Sequence, residues 1–349
     1  MITAQSNIET ARMRALKLLR TNREHRVSSY DFAKKLALVF RDYVNLSKCK
    51  DVQELILLIQ SEGDYLLSLY PSEFFVHNVR CTTLKFIREE AQKMAFGEEN
   101  DITAFDSLIK LWNDPKDSEL KVDMKELKGH VMGSIEEYTV DLDASSEEMA
   151  EKALDHVTAS SIVMTLRYSK SDTLQNFLKD VKCTILSVDD VECQNPKKLP
   201  YIATSPTDIV IKMNTVTRIV LSAIAVLPDG SCVMPAGTRA ICEIAKLHSI
   251  PVIICSAFYK FTPIFFPNLN EFNQHGAAGP ILGNDTELLS SFNLRVTNPL
   301  FDHIPAKLVS LYITQDSVET PSHVYNVLTE SYHPADLYSF NKNQCPTTA

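Results

Sequence analysis

A chain of 349 residues, 45% hydrophobic and 23% charged, is long enough for two domains and apolar enough to give each a core. Its 35 basic and 44 acidic residues leave a formal charge of −9, which argues against nucleic acid as the main partner, because backbone phosphates are bound by a basic surface. No run approaches the length of a membrane span, and 9 glycines are too few to suggest a glycine-rich phosphate cradle.

The 8 cysteines (Cys49, Cys81, Cys183, Cys193, Cys232, Cys242, Cys255 and Cys345) are scattered, with no C-x-x-C pair and no histidine at metal-ligand spacing. They are expected to be buried free thiols of a cytoplasmic protein that carries no metal and no cofactor. Residues 10–20 are basic and amphipathic, as mitochondrial transit peptides are, but Glu9 and Glu24 favour an ordinary first helix.

The first third reads as helical. Ser28-Ser29-Tyr30-Asp31 has the form of a capping box, after which Phe32, Leu36, Val39 and Tyr43 share one face. Asp51 and Glu54 open a second helix carrying Leu55, Leu58 and Ile59, and Pro71-Ser72-Glu73 breaks the chain. In the next helix Val76, Val79, Thr83 and Ile87 are expected to face inward, and Arg80, Lys85, Arg88 and Glu89 outward. Residues 98–101 and 113–123 read as polar connectors. A long helix over 124–142 then carries Leu127, Val131, Ile135, Tyr138 and Leu142 as its apolar stripe, and Ser145 with Glu148 is expected to cap the next helix.

From residue 161 the period changes. Residues 162–165 and 183–186 read as strands separated by a helix over 173–179, and 209–213 as a further helix. The most legible stretch is 217–257. It holds an apolar, β-branched run at 219–221, a turn at Pro228-Asp229-Gly230, a helix opened by Gly237-Thr238, and a second apolar run at 252–255. That is a βαβ unit with a small hairpin projecting from the carboxyl end of its first strand, where open α/β sheets bind ligands and partners. Residues 308–313 read as a strand, and Thr320-Pro321 as the start of the last helix. The predicted fold is α/β: an N-terminal helical domain over 1–123, a Rossmann-like, mostly parallel α/β domain over 124–340 entered through the 124–142 helix, and a disordered tail over 341–349.

These segments resemble, in order and spacing, the regulatory subunits of eukaryotic translation initiation factor 2B, a guanine-nucleotide exchange factor. The likeness rests on Ser61-Glu62-Gly63, Pro71-Ser72-Glu73, Ala153-Leu154-Asp155-His156, Ala236-Gly237-Thr238, Tyr259-Lys260, Asn298-Pro299-Leu300-Phe301 and Tyr332-His333-Pro334-Ala335-Asp336. The Tyr-His-Pro ending, and the lack of a long basic N-terminal extension, favour the beta branch over alpha and delta. Two features depart from the family. Residues 195–200 read as a loop where a crossover helix is expected, and Gln315-Asp316-Ser317-Val318-Glu319 stands in place of a Gly-Gly pair.

The resemblance extends to sugar-phosphate isomerases acting on methylthioribose phosphate or ribose bisphosphate, which pair a cysteine with an aspartate for proton transfer. On the matching positions the aspartate is Ser231, the neighbouring Asn and Lys are Met234 and Pro235, and the cysteine position falls near Arg167. A serine hydroxyl cannot serve unaided as a general base at neutral pH. The expectation is therefore no catalytic residue and no enzyme activity. Gly237 and Thr238 form a candidate anion site at a helix N-terminus, to be weighed against a plain N-cap. Asp189-Asp190 reads as a solvated pair rather than a metal site, and His248 as a C-terminal cap.

What the resemblance implies is a non-catalytic regulatory subunit that assembles with alpha and delta homologues, beside gamma and epsilon subunits that carry the exchange chemistry. Its substrate would be the alpha subunit of initiation factor 2, with control by phosphorylation of that substrate. His130, Ser134 and Glu137, on the 124–142 helix, are the candidate substrate-facing positions, and Ser160 is a candidate for the subunit interface. No direct contact with nucleic acid or membrane is expected. The alternatives are a sugar-phosphate isomerase with rearranged acid–base groups, or a homodimeric sensor of a nucleotide or sugar phosphate.

Overall fold

The computed structural model describes residues 2–25, 28–96, 122–188, 201–264, 273–282, 296–333 and 336. Long helices come first: α1 (Ile2–His25), α2 (Ser29–Leu46), α3 (Val52–Leu69), α4 (Phe74–Phe96) and α5 (Met124–Glu151). The start of α3 is fixed from both sides: Asp51 accepts from the Glu54 N–H, and Glu54 accepts from the Lys50 N–H, each at 2.8 Å. Such caps satisfy donors that have no partner within the helix. Ser28 precedes α2 without a side-chain cap bond. Phe32, Leu36 and Phe40 of α2, Leu55 and Ile59 of α3, Val76, Val79 and Ile87 of α4, and Leu127, Val131 and Ile135 of α5 merge into one apolar core.

Two expectations for these helices fail, for physical reasons. The helix opened at Met124 does not end at Leu142 but runs unbroken to Glu151. Ser145, expected as a cap, lies inside it and donates to the Leu142 carbonyl at 2.8 Å. Nothing between them is a helix breaker. At about 1.5 Å per residue this rod is about 40 Å long. Its Val131 and Ile135 enter the helical core while its Met149 enters the core against the sheet. The second correction concerns α4, where Arg80 and Arg88 are buried rather than outward. Arg80 pairs with Asp64 and donates to His77 Nδ1 at 2.9 Å, and Arg88 pairs with Asp336.

The second layer is a sheet of seven strands in the order β10-β9-β7-β4-β1-β2-β3. They are β1 (Ile162–Leu166), β2 (Thr184–Val188), β3 (Ile202–Thr204), β4 (Arg218–Ser222), β7 (Val252–Cys255), β9 (Leu311–Ile313) and β10 (Val318–Glu319). All neighbours are parallel except β9 and β10. Both faces are covered: Val163, Val220 and Ile253 enter one core, and Met164, Ile219 and Ile254 the other. That double burial explains the uninterrupted apolar runs. Helices α6 (Asp172–Leu178), α7 (Ile209–Met213) and α8 (Thr238–Leu247) connect the strands, and α9 (Val324–Ser331) closes the chain against them. A second sheet joins β5 (Ala225–Val226) and β6 (Cys232–Pro235), the predicted hairpin, to β8 (Phe301–Ile304).

The expected connectors 98–101 and 113–121, the Asp189-Asp190 pair, the 195–200 crossover and the 341–349 tail lie outside the described residues. Where a Gly-Gly pair was expected, the Ser317 N–H donates to Thr314 Oγ1 and the Thr314 N–H to the Ser317 carbonyl, both at 2.9 Å. These bonds close a hairpin that adds β10 as an antiparallel edge. The predicted 308–313 strand shortens to β9, behind a helical turn over Ala306–Leu308. Thr320 does not cap the last helix. Its hydroxyl lies 3.0 Å from that of Ser322, and α9 begins only after His323. The turn containing Pro321 rests on the hairpin at Gly230, whose φ is +73° and where a Cβ would lie 2.1 Å from the Pro321 carbonyl oxygen.

Candidate functional site

At the carboxyl ends of β1 and β4 the chain leaves a cavity of about 740 Å³. Loops after β1 (Arg167, Lys170), the start of α6 (Asp172, Thr173), the end of β4 (Ser222), β6 (Met234, Pro235) and the helical layer (Glu73) contribute to its walls. Its place is the one that parallel-sheet topology dictates, because strand ends and crossover loops converge there. Arg167 takes up the left-handed backbone region, at φ 51°, to turn the chain out of β1.

Lys260, in the helical turn Phe258–Lys260 after β7, lines the same cavity and is only 3% exposed. Its ammonium donates to Ser222 Oγ at 3.1 Å and to Thr173 Oγ1 at 3.3 Å. Among the described residues no carboxylate comes within ion-pair distance of it. Burial brings its pKa down to about 8, against smaller opposing effects of Cys255 and Asp172. The Cys255 thiol beside it is itself pushed up by burial, so it supplies no thiolate at neutral pH.

The positions that match the isomerase pair are not assembled for proton transfer. Ser231 is buried in the hairpin turn, where its hydroxyl donates to Asp229 Oδ1 at 2.5 Å and its N–H to the same oxygen at 3.0 Å. Met234 and Pro235 do reach the cavity wall, but neither side chain carries a proton-transfer group. Gly237, at φ +96°, precedes α8 as its N-cap. The N–H groups that an anion would use there are taken by the chain itself: those of Gly237 and Arg239 donate to Asp302 Oδ2 at 2.9 and 3.0 Å. Thr238 donates its hydroxyl back to the Pro235 carbonyl at 2.6 Å.

The outer face of α5 carries His130 and Glu137, both exposed, and half-buried Ser134, whose Oγ lies 3.4 Å from Glu90 Oε1. Gly129 and Gly133 lie on the same face, and a Cβ at either would have nothing within 4 Å. Val140, 64% exposed, continues the stripe. Ser160 is exposed at the amino end of β1, the opposite end of the sheet from the cavity, with its hydroxyl 3.2 Å from that of Thr158. Cys81, Cys232, Cys242 and Cys255 are buried free thiols, and Cys49 and Cys183 are half-buried. Among the described residues no group of His, Cys, Asp and Glu has the makings of a metal site, and no helix is long and apolar enough to cross a membrane.

Sequence reasoning missed the burial of Lys260 in the cavity wall, although the Tyr-Lys pair behind an apolar strand was the available signal. It also missed Asp302, which lies too far along the chain for any local pattern to link it to Gly237.

Residues 198–321 match the model of the initiation factor 2 subunit family. The chain is 26% identical to translation initiation factor eIF2B subunit beta of Dictyostelium discoideum, over 92% of this chain and 95% of that one. The fold is that of eIF2B beta from Chaetomium thermophilum, with a TM-score of 0.69 at 18% identity over 97% of each chain. It also matches a chain of the tetrameric eIF2B-beta2-delta2 complex from the same organism, with a TM-score of 0.67 at 18% identity over 95% of this chain and 99% of that one. Ribose 1,5-bisphosphate isomerase of Pyrococcus furiosus is 22% identical over 62% of this chain and 70% of its own.

Proposed function

We propose that this relative of the eIF2B beta subunits is a non-catalytic regulatory subunit of an initiation factor 2B exchange complex. The observation that carries the reading is the emptied proton-transfer site. A cavity lies at the strand ends, yet Ser231 stands where the resemblance puts the aspartate, no cysteine lies near Arg167 where it puts the second group, and Ser231 is sealed in a turn. The similarity to a beta subunit over 92% of the chain, and to a chain of a beta–delta complex, supports assembly with homologous regulatory subunits. Partnership with gamma and epsilon subunits, recognition of the alpha subunit of initiation factor 2 and a cytoplasmic setting follow from the same reading. The α5 face around His130, Ser134 and Glu137 is its substrate-facing surface and Ser160 part of its subunit contact, with the helical layer and the α/β layer acting as its two domains.

Affinity capture of the chain from cell extract, followed by mass spectrometry, tests this reading. Delta- and alpha-type subunits are expected in amounts comparable to the bait, and recovery of the chain alone would overturn it. The retained cavity favours one rival, an isomerase with rearranged groups. Turnover of ribose 1,5-bisphosphate by the purified chain would establish that rival.

A further inference from the structure

We propose that Lys260 is a carbonyl-trapping amine, the site at which small open-chain aldehydes or ketones bind this protein covalently from the cavity. An isolated ammonium in an apolar interior is unfavourable unless it is paired, and buried lysines answer by giving up the proton. Lys260 is held by two neutral hydroxyls, Ser222 Oγ and Thr173 Oγ1, which keep the nitrogen fixed without supplying negative charge. The cavity it lines, about 740 Å³, is large enough for a small polyhydroxy carbonyl compound. The charged groups around it do not restore an ion pair. Asp172, on α6, is exposed and outside ion-pair distance; the Cys255 thiol is held protonated by burial; and Arg167 and Lys170 on the wall add positive charge.

The chemistry balances without a further reactant. The Nζ lone pair adds to the carbonyl carbon as the carbonyl oxygen takes up a proton, and the nitrogen loses one, giving a carbinolamine. Loss of water then leaves an imine. With a pKa of about 8 against 10.5 for an ordinary lysine, the free-amine fraction at pH 7 is roughly 300-fold larger than on the surface. Carbonyl trapping by this one amine is independent of any assembly role.

The test incubates the purified full-length chain with glycolaldehyde and sodium cyanoborohydride at pH 7, then maps modified lysines by peptide mass spectrometry. Labelling at Lys260 at least tenfold faster than at exposed Lys179 and Lys182 is expected. The advantage should shrink as the pH is raised towards 10, where surface amines also deprotonate. Lys260→Met should remove that label and leave the surface label unchanged. Equal labelling of Lys260 and the surface lysines at pH 7, or labelling of the surface alone, overturns the proposal. Because the mapping is done on the unaltered protein, the answer does not depend on how the variant folds.

Discussion

The outer face of α5 offers a sharp test, because stability and function should move in opposite directions there. Gly129 and Gly133 sit inside a helix of 28 residues, yet a Cβ at either would touch nothing. Glycine in a helix interior costs about 0.8–1.0 kcal/mol relative to alanine, so Gly129→Ala/Gly133→Ala should stabilise the isolated chain by about 1.5–2 kcal/mol. Urea denaturation should show a higher midpoint with an unchanged slope. Internal packing therefore does not require these glycines, whereas a partner lying close against the helix backbone would. The two methyl groups should hold such a partner off and weaken its binding by about tenfold or more, the equivalent of about 1.4 kcal/mol. The partners proposed above, the alpha subunit of initiation factor 2 and homologous regulatory subunits, can be tested for binding by surface plasmon resonance. A fall in stability would show that the fold itself needs these glycines, and unchanged affinity for every partner would show that none packs against them.

Three further predictions rest on internal geometry. Gly230→Ala should destabilise the chain by about 2 kcal/mol or more on chemical denaturation, since its Cβ would meet the Pro321 carbonyl at 2.1 Å from a positive φ. Asp336→Ala should lower the chemical-denaturation midpoint by the equivalent of about 1–3 kcal/mol, because it removes a buried carboxylate that pairs with Arg88, 4% exposed. Burial, with the Arg80 charge adding to it, holds His77 well below its ordinary pKa, and burial lowers the half-buried His303 as well. The unfolded chain therefore binds protons that the fold refuses. The histidine contribution to stability should be complete above the ordinary histidine pKa and fall below pH 6.5 by up to about 1.4 kcal/mol per pH unit for each histidine; denaturation midpoints below pH 6.5 should lose part of that slope in His77→Gln, and a midpoint that rises on acidification from pH 6.5 would show that neither histidine is held neutral by the fold.

What the sequence made legible was local. The runs at 219–221 and 252–255 had to be strands covered on both faces, and the hairpin between them followed from Pro228 and Gly230. The structure draws the same βαβ unit. What escaped was set by residues remote in the chain. Arg80 and Arg88 look like a solvent face until Asp64 and Asp336 are brought beside them, the second 248 residues away. Ser145 has the form of a cap, but a helix with no breaker in its path runs through it. At the site, the absence of a carboxylate at Ser231 and of a cysteine near Arg167 was readable once the resemblance had marked those positions. The occupation of the α8 terminus by Asp302, and the isolation of Lys260, needed the tertiary fold.

If the chain works by assembling with its homologues and not by turnover, capturing the tagged chain from its own cells and weighing the intact assembly by native mass spectrometry should give a hetero-oligomer containing delta-type subunits. The same sample should show no conversion of ribose 1,5-bisphosphate. A homo-oligomer or monomer that converts the sugar phosphate would contradict both expectations.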